Sequence, residues 1–174
     1  NWNKKVVFIQ AGRKWGKTEF AVYICWRWAT LFPNSACYII GPERQQESEI
    51  IWAPGRLQNF GPRDFLRDGD SGINKSELRV NFKNGSFIKI AGADNYSALA
   101  GITPSLVVYD EFRYFSKEAH AVMEPNLLAK NSPLVIISTP PGRECFDPES
   151  RDEAIREREG DPGGAYFYLE RTTR

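Results

Sequence analysis

Histidine is almost missing from this chain. His120 is the only one in 174 residues, and it sits in a helical pattern, so it reads as a helix-surface residue and not a catalytic one. Cysteine is scarce too. Cys25, Cys37 and Cys145 have no metal-ligand spacing, and an odd, unpaired set points to a reducing compartment, not a disulfide scaffold. Cys25 and Cys37 fall on apolar elements and are expected in the core. An excess of charge of one sign is missing: 23 basic residues stand against 22 acidic ones, a net charge of +1. That excludes a globally basic nucleic-acid binder, so any such contact must come from a local patch. No apolar run approaches membrane-spanning length, no leader pattern is visible, and there are no repeats or low-complexity segments. What remains is ordinary for a globular domain: 41% hydrophobic, 26% charged, and long enough for one good core.

The most informative stretch is Ala11-Gly-Arg-Lys-Trp-Gly-Lys-Thr18, directly behind the apolar run Val6-Val-Phe-Ile9. A buried strand that opens through a Gly-rich turn into a helix starting Gly-Lys-Thr has the pattern of a phosphate-binding loop. Backbone N–H groups of such a turn converge on phosphate oxygens. The helix N-terminus adds partial positive charge. Gly12, Arg13, Lys14, Trp15, Gly16, Lys17 and Thr18 are therefore the candidate nucleotide-binding residues. Lys17 reaches the outer phosphates, and the Thr18 hydroxyl is a candidate Mg²⁺ ligand. The match is degenerate, because Ala11 occupies the position of the first glycine.

Leu106-Val-Val-Tyr-Asp-Glu111 supplies the second half. A strand buried on both faces reads as a continuous apolar run, and ligands in such sheets bind at the strands' carboxyl ends. Asp110 is the candidate for holding magnesium. Glu111 is the candidate catalytic base that orients and deprotonates the attacking water. Alone, an Asp-Glu pair is a solvated strand end; its order and separation behind a phosphate loop give it meaning.

The chain alternates strands and helices. Strands are expected at 6–10, 36–40, 106–109 and 134–139, with a last one at 165–169. Helices are expected at 17–30, 44–52, 117–130 and, charged and exposed, 149–159. Residues 53–73 read as irregular. Runs 77–82 and 86–90 flank Asn84-Gly85, a hairpin signal. The aromatics of the first helix, Trp26 and Trp28, read as packing residues. The alternation implies an α/β fold with a mainly parallel sheet flanked by helices and carrying a β-hairpin insertion. A further strand, 36–40, is expected between the phosphate-loop strand and the Asp-Glu strand. This favours the RecA-like P-loop NTPases with an additional central strand and a catalytic glutamate, the group of helicases, recombinases and packaging motors. Asn74-Lys75-Ser76-Glu77 ends in Glu and precedes the Asp-Glu strand, which disfavours GTP specificity.

The ordered set of motifs resembles the large subunits of phage terminases, the ATPases that package viral DNA. The resemblance rests on the basic, degenerate loop with Arg13; on Gly41-Pro-Glu-Arg-Gln45 after the second strand; on a hairpin followed by Leu99-Ala-Gly101 and the Asp-Glu strand; on Ile137-Ser-Thr-Pro-Pro-Gly142; and on Leu169-Glu-Arg-Thr-Thr-Arg174. It implies ATP and Mg²⁺ as cofactors and double-stranded DNA as the substrate moved. A portal ring, a small terminase subunit and further copies of the chain are the implied partners, in the host-cell cytoplasm. Ser138 and Thr139 take the place of the family's coupling motif. Arg13 would act in catalysis, contacting phosphate or pairing with Glu111, since a guanidinium binds either bidentately.

Two departures stand out. Ala100 occupies the place of an arginine that, in many members, reaches a neighbouring subunit's nucleotide; Arg44 and Arg113 are substitutes to consider. The upstream adenine-binding segment and a nuclease carboxylate cluster have no counterpart, so residues 1–174 are expected to be an isolated ATPase domain. The alternatives are a helicase-like remodelling ATPase and a nucleotide-binding interaction module that does not hydrolyse.

Overall fold

The apolar runs become the inner strands of one sheet, described in a computed structural model that covers residues 6–12, 14–139 and 166–171. The strands are β1 (Val6–Ala11), β2 (Ala36–Gly41), β3 (Ile73–Asn74), β4 (Arg79–Asn81), β5 (Phe87–Gly92), β6 (Leu106–Tyr109), β7 (Leu134–Ser138) and β8 (Tyr166–Arg171). Their order across the sheet is β3-β4-β5-β2-β6-β7-β1-β8. From β5 to β8 every neighbouring pair is parallel, and only the β3-β4-β5 edge is antiparallel. The hairpin is present and built into the sheet, because β5 pairs along its length with β2.

The strand between β1 and β6 is β7, not the segment 36–40; β2 lies on the far side of β6. The crossover from β1 through the first helix carries the chain past two vacant places. Later strands fill them, and nothing in the local sequence fixes which strand enters where.

Strand residues alternate between two cores. Ile9, Ile39, Val108 and Ile137 face α1 (Lys17–Leu31), whose Ala21, Val22, Cys25, Trp26 and Ala29 form the buried stripe. Phe8, Ile40, Val107, Tyr109 and Ile136 face α3 (Lys117–Lys130), with Met123 and Leu127 beneath. Both cysteines expected in the core, Cys25 and Cys37, are buried there as free thiols. Ser116 caps α3 by accepting from the Ala119 N–H at 3.2 Å, and Asn131, in the left-handed region at φ 53°, ends it. Between β2 and β3 the chain makes a short helix, α2 (Arg44–Glu47), one wide helical turn at Ser48–Trp52, then irregular structure. Trp26 pins that segment with an indole N–H donated to Leu57 O at 2.8 Å, and it packs edge-on to Phe82 at 4.8 Å.

At the amino ends of the central strands a polar clasp joins helix, turn and hairpin. Ser86 Oγ donates to Phe32 O and accepts from the Ser35 N–H, both at 3.0 Å. The Asn84 amide donates to Ala29 O at 2.8 Å, and Asn84 O accepts from the Asn34 N–H at 3.2 Å. His120 is half-buried, not on the surface as expected. It packs edge-on to Tyr109 at 6.0 Å and Phe112 at 5.8 Å, drawn inward by the aromatic cluster past the end of β6. The expected helix 149–159, the Pro140-Pro-Gly142 turn and Cys145 lie outside the described residues, and no helix among those described is long and apolar enough to cross a membrane.

Candidate active site

The sheet brings the ends of β1, β6 and β7 together at its carboxyl edge. The turn leaving β1 requires unusual backbone: Lys14 (φ 64°) and Gly16 (φ 89°) are both left-handed. Gly16 is the residue that makes this inexpensive, since it has no Cβ to strain. It is also the N-cap of α1 and supplies no side-chain cap, so the first N–H groups of a four-turn helix keep their capacity to bind an acceptor. Gly12, Lys14, Trp15, Gly16, Lys17 and Thr18 all lie on this turn and helix start; Arg13 lies outside the described residues.

Two side chains of the turn reach the carboxylates of β6. Lys17 is 7% exposed; its ammonium donates to Gly12 O at 3.1 Å and lies 3.6 Å from Glu111 Oε1. Thr18 donates its hydroxyl to Asp110 Oδ2 at 3.0 Å. Asp110 is 2% exposed, and its Oδ1 accepts from the Glu111 N–H at 3.0 Å. Burial pushes the Asp110 carboxyl above its ordinary range. The Thr18 hydroxyl pulls it back, the Glu111 charge adds to the rise, and the Glu111 amide and Lys17 oppose it.

Glu111 is the pivot of the cluster. It sits in the left-handed region at φ 49°, ψ 46°, a conformation that costs a non-glycine residue about 1–2 kcal/mol and concentrates at functional sites. The turn swings its carboxylate toward the end of β7, where Thr139 Oγ1 reaches Oε1 at 2.8 Å and Oε2 at 3.0 Å. The Thr139 N–H is a longer donor at 3.4 Å. Arg113 closes the other side, its Nε 3.5 Å from Glu111 Oε2. Its guanidinium lies 4.3 Å over the Tyr114 ring, and its backbone N–H reaches Ser138 Oγ at 3.4 Å. Arg113, considered from sequence as an arginine for a neighbouring subunit, is here engaged with its own chain's glutamate. Arg44 is spent elsewhere, donating to Ser76 O at 2.7 Å.

One further group belongs here and has no motif to announce it. Glu47, the last residue of α2, is 2% exposed, and its Oε2 has no hydrogen-bond partner among the described residues. Burial, reinforced by Asp110 and Glu111, pushes its carboxyl up to about 8. Its seat depends on Gly41, where an added Cβ would stand 2.1–2.2 Å from three Glu47 side-chain atoms. The only sequence trace is an acid six residues past a strand-end glycine.

Chemically the cluster offers an ammonium, a hydroxyl, a buried carboxylate and a second carboxylate held by hydroxyl and guanidinium. Among the described residues no three His, Cys, Asp or Glu side chains converge on a metal position. A cation held by Thr18 and Asp110 would therefore keep waters or ligand oxygens, which suits magnesium.

No protein-family model matches the chain, and no curated protein does. Solved structures do. The large terminase ATPase domain of Thermus phage P74-26 superposes with a TM-score of 0.67 at 21% identity, over 96% of this chain and 75% of that one. The large terminase of a thermophilic bacteriophage, in complex with ATP-γ-S, matches with a TM-score of 0.68 at 15% identity, over 97% of this chain and 39% of that one. The Hef helicase domain of Pyrococcus furiosus matches with a TM-score of 0.56 at 21% identity, over 98% of this chain and 36% of that one. The chain thus has the mixed α/β fold, flanked by helices, of terminase and helicase P-loop-type domains. It spans three-quarters of the phage P74-26 domain and about two-fifths of the terminase solved with ATP-γ-S.

Proposed function

We propose that this chain is a magnesium-dependent ATPase domain of a DNA-packaging motor, and that its hydrolysis cycle moves double-stranded DNA. The observation behind this reading is the joining of Lys17, Thr18, Asp110, Glu111 and Thr139 at one sheet edge. In this reading residues 12–18 wrap the phosphates, with Lys17 and Arg13 on the outer ones. Thr18 and Asp110 hold magnesium, which neutralises phosphate charge when bound. Glu111 takes the proton of the attacking water.

The resting contacts suggest the order of events. Both oxygens of Glu111 are engaged by Thr139, Lys17 and Arg113, so these contacts compete with the attacking water for the base. Incoming phosphate competes for the Lys17 ammonium and frees one side. Thr139 then links the carboxylate to the end of β7, which with Ser138 forms the coupling element. A portal ring, a small terminase subunit and other copies of the chain are the partners this role calls for.

Glu111→Gln tests the assignment. Nucleotide affinity should persist while hydrolysis drops by about 10²-fold or more; wild-type turnover would remove Glu111 as the base. The likeness to a helicase domain supports a second reading, a nucleic-acid-remodelling ATPase, which ATP-driven strand separation without net translocation of duplex would favour.

A further inference from the structure

Glu47 is a buried carboxyl with an oxygen that no described residue satisfies, at the edge of a cluster already holding two acids. Leaving such a group unpaired is expensive, and native interiors rarely keep one unless something else binds it. We propose that Glu47 is the third carboxyl of this site, anchoring through water the magnesium ion held by Thr18 and Asp110. The inference rests on the ATPase reading and deepens it.

Three observations place the group. First, β2 and β6 are in parallel register with Ile40 opposite Tyr109, and the Asp110 N–H donates to Ile40 O at 2.9 Å. The backbone immediately past Ile40, at Gly41, therefore runs beside Asp110. Second, the Glu47 carboxyl lies over Gly41 in the space a side chain there would fill. This seats it on the Asp110 flank, close enough for Asp110 and Glu111 to act on it electrostatically. Third, Oε2 is buried and without a partner among the described residues, while the residue as a whole is 2% exposed.

No direct three-ligand set is present among the described residues, so the contact proposed is one through water. Magnesium retains several waters in protein sites, each with protons to donate, and a carboxylate oxygen is the acceptor they need. Partners in this outer position set metal affinity without touching the metal, and losing one typically costs about 10–100-fold.

The experiment measures metal and nucleotide separately. Wild type, Glu47→Gln and Glu47→Asp are titrated with Mn²⁺ in the presence of ADP, followed by electron paramagnetic resonance, and with ADP alone in EDTA. Glu47→Gln should weaken Mn²⁺ by about 10-fold or more and leave metal-free ADP affinity unchanged. Glu47→Asp, which keeps the carboxyl on a shorter arm, should fall between the two. Wild-type Mn²⁺ affinity in folded Glu47→Gln overturns the proposal. So does an equal loss of metal-free ADP affinity, which would mark Glu47 as a packing residue only. If Glu47→Gln fails to give a native circular dichroism spectrum, Glu47→Asp decides: wild-type Mn²⁺ affinity there overturns the proposal. A wild-type chain that takes up no Mn²⁺ with ADP sinks the ATPase reading itself, a different result from all of these.

Discussion

Replacing Glu47 by glutamine should change how the stability of the metal-free chain depends on pH. The folded protein holds the Glu47 proton up to about pH 8, against an ordinary value of 4.5. Between these values the native state binds a proton that the unfolded chain has released. Stability must then fall as pH rises through that window. The contribution is complete below about pH 4.5 and gone above about pH 8. A window about 3.5 pH units wide, at about 1.4 kcal/mol per unit, sets the loss at up to about 5 kcal/mol. Glutamine is neutral throughout, so this slope disappears. Its amide brings a pH-independent offset of about 1–3 kcal/mol if its new N–H groups find no acceptor. Asp110 is also raised and contributes with the same sign; because it is coupled to Glu47, its part cancels only in part in the difference. Urea unfolding followed by tryptophan fluorescence at pH 5 to 9 reads the effect directly. Relative to wild type, Glu47→Gln should gain stability steadily toward pH 8 and then level off. Parallel stability curves would refute the reasoning, because they would mean the carboxyl titrates alike in the folded and unfolded chain.

Other outcomes follow from the same contacts. Lys17→Ala removes the ammonium beside Glu111 and should weaken fluorescent-nucleotide binding by about 10-fold or more; unchanged affinity and turnover would mean the β1–α1 turn is no phosphate site. Thr139→Ala deletes the hydroxyl whose one proton is shared between the two Glu111 oxygens and should lower kcat by about 10-fold with nucleotide affinity held within about twofold; steady-state ATPase assays beside binding titrations check the split. Ser86→Ala empties the centre of the polar clasp and should cost about 1–3 kcal/mol in urea unfolding while sparing nucleotide binding.

The elements of the fold were readable wherever one local signal dominated. Apolar runs marked β1, β6 and β7, Asn84-Gly85 marked the hairpin, and the helix expected at 117–130 is α3 at the residues observed. The order of the strands was not readable. The insertion of β7 between β1 and β6 depends on how long crossovers pack, and no residue encodes that locally. The candidate site divides in the same way. Lys17, Thr18, Asp110 and Glu111 stand in compact motifs beside a strand or helix end. The pairing of Arg113 with Glu111 depends on a left-handed turn at a glutamate, which no propensity favours. Glu47 depends on Gly41, six residues earlier, which matters only because α2 folds back over it beside the distant Asp110. Buried contacts between distant segments leave almost no trace in a single sequence.

The Ser86–Asn84 clasp has a mechanical consequence. It fastens the hairpin to the end of α1 and to the start of β2 at the edge of the sheet remote from Glu111, using several bonds across segments about fifty residues apart. At the opposite edge the Glu111 carboxylate, beside the Arg113 N–H contact to Ser138, links the ends of β6 and β7, and its partners are ones a ligand competes for. The domain therefore resembles a vise with one jaw bolted and the other resting on a removable pin. Displacement begun at the pin would have a fixed anchor to work against. Hydrogen exchange should show this as slow amides around Ser35 and Phe87 in every state, with ligand-dependent rates confined to the ends of β6 and β7.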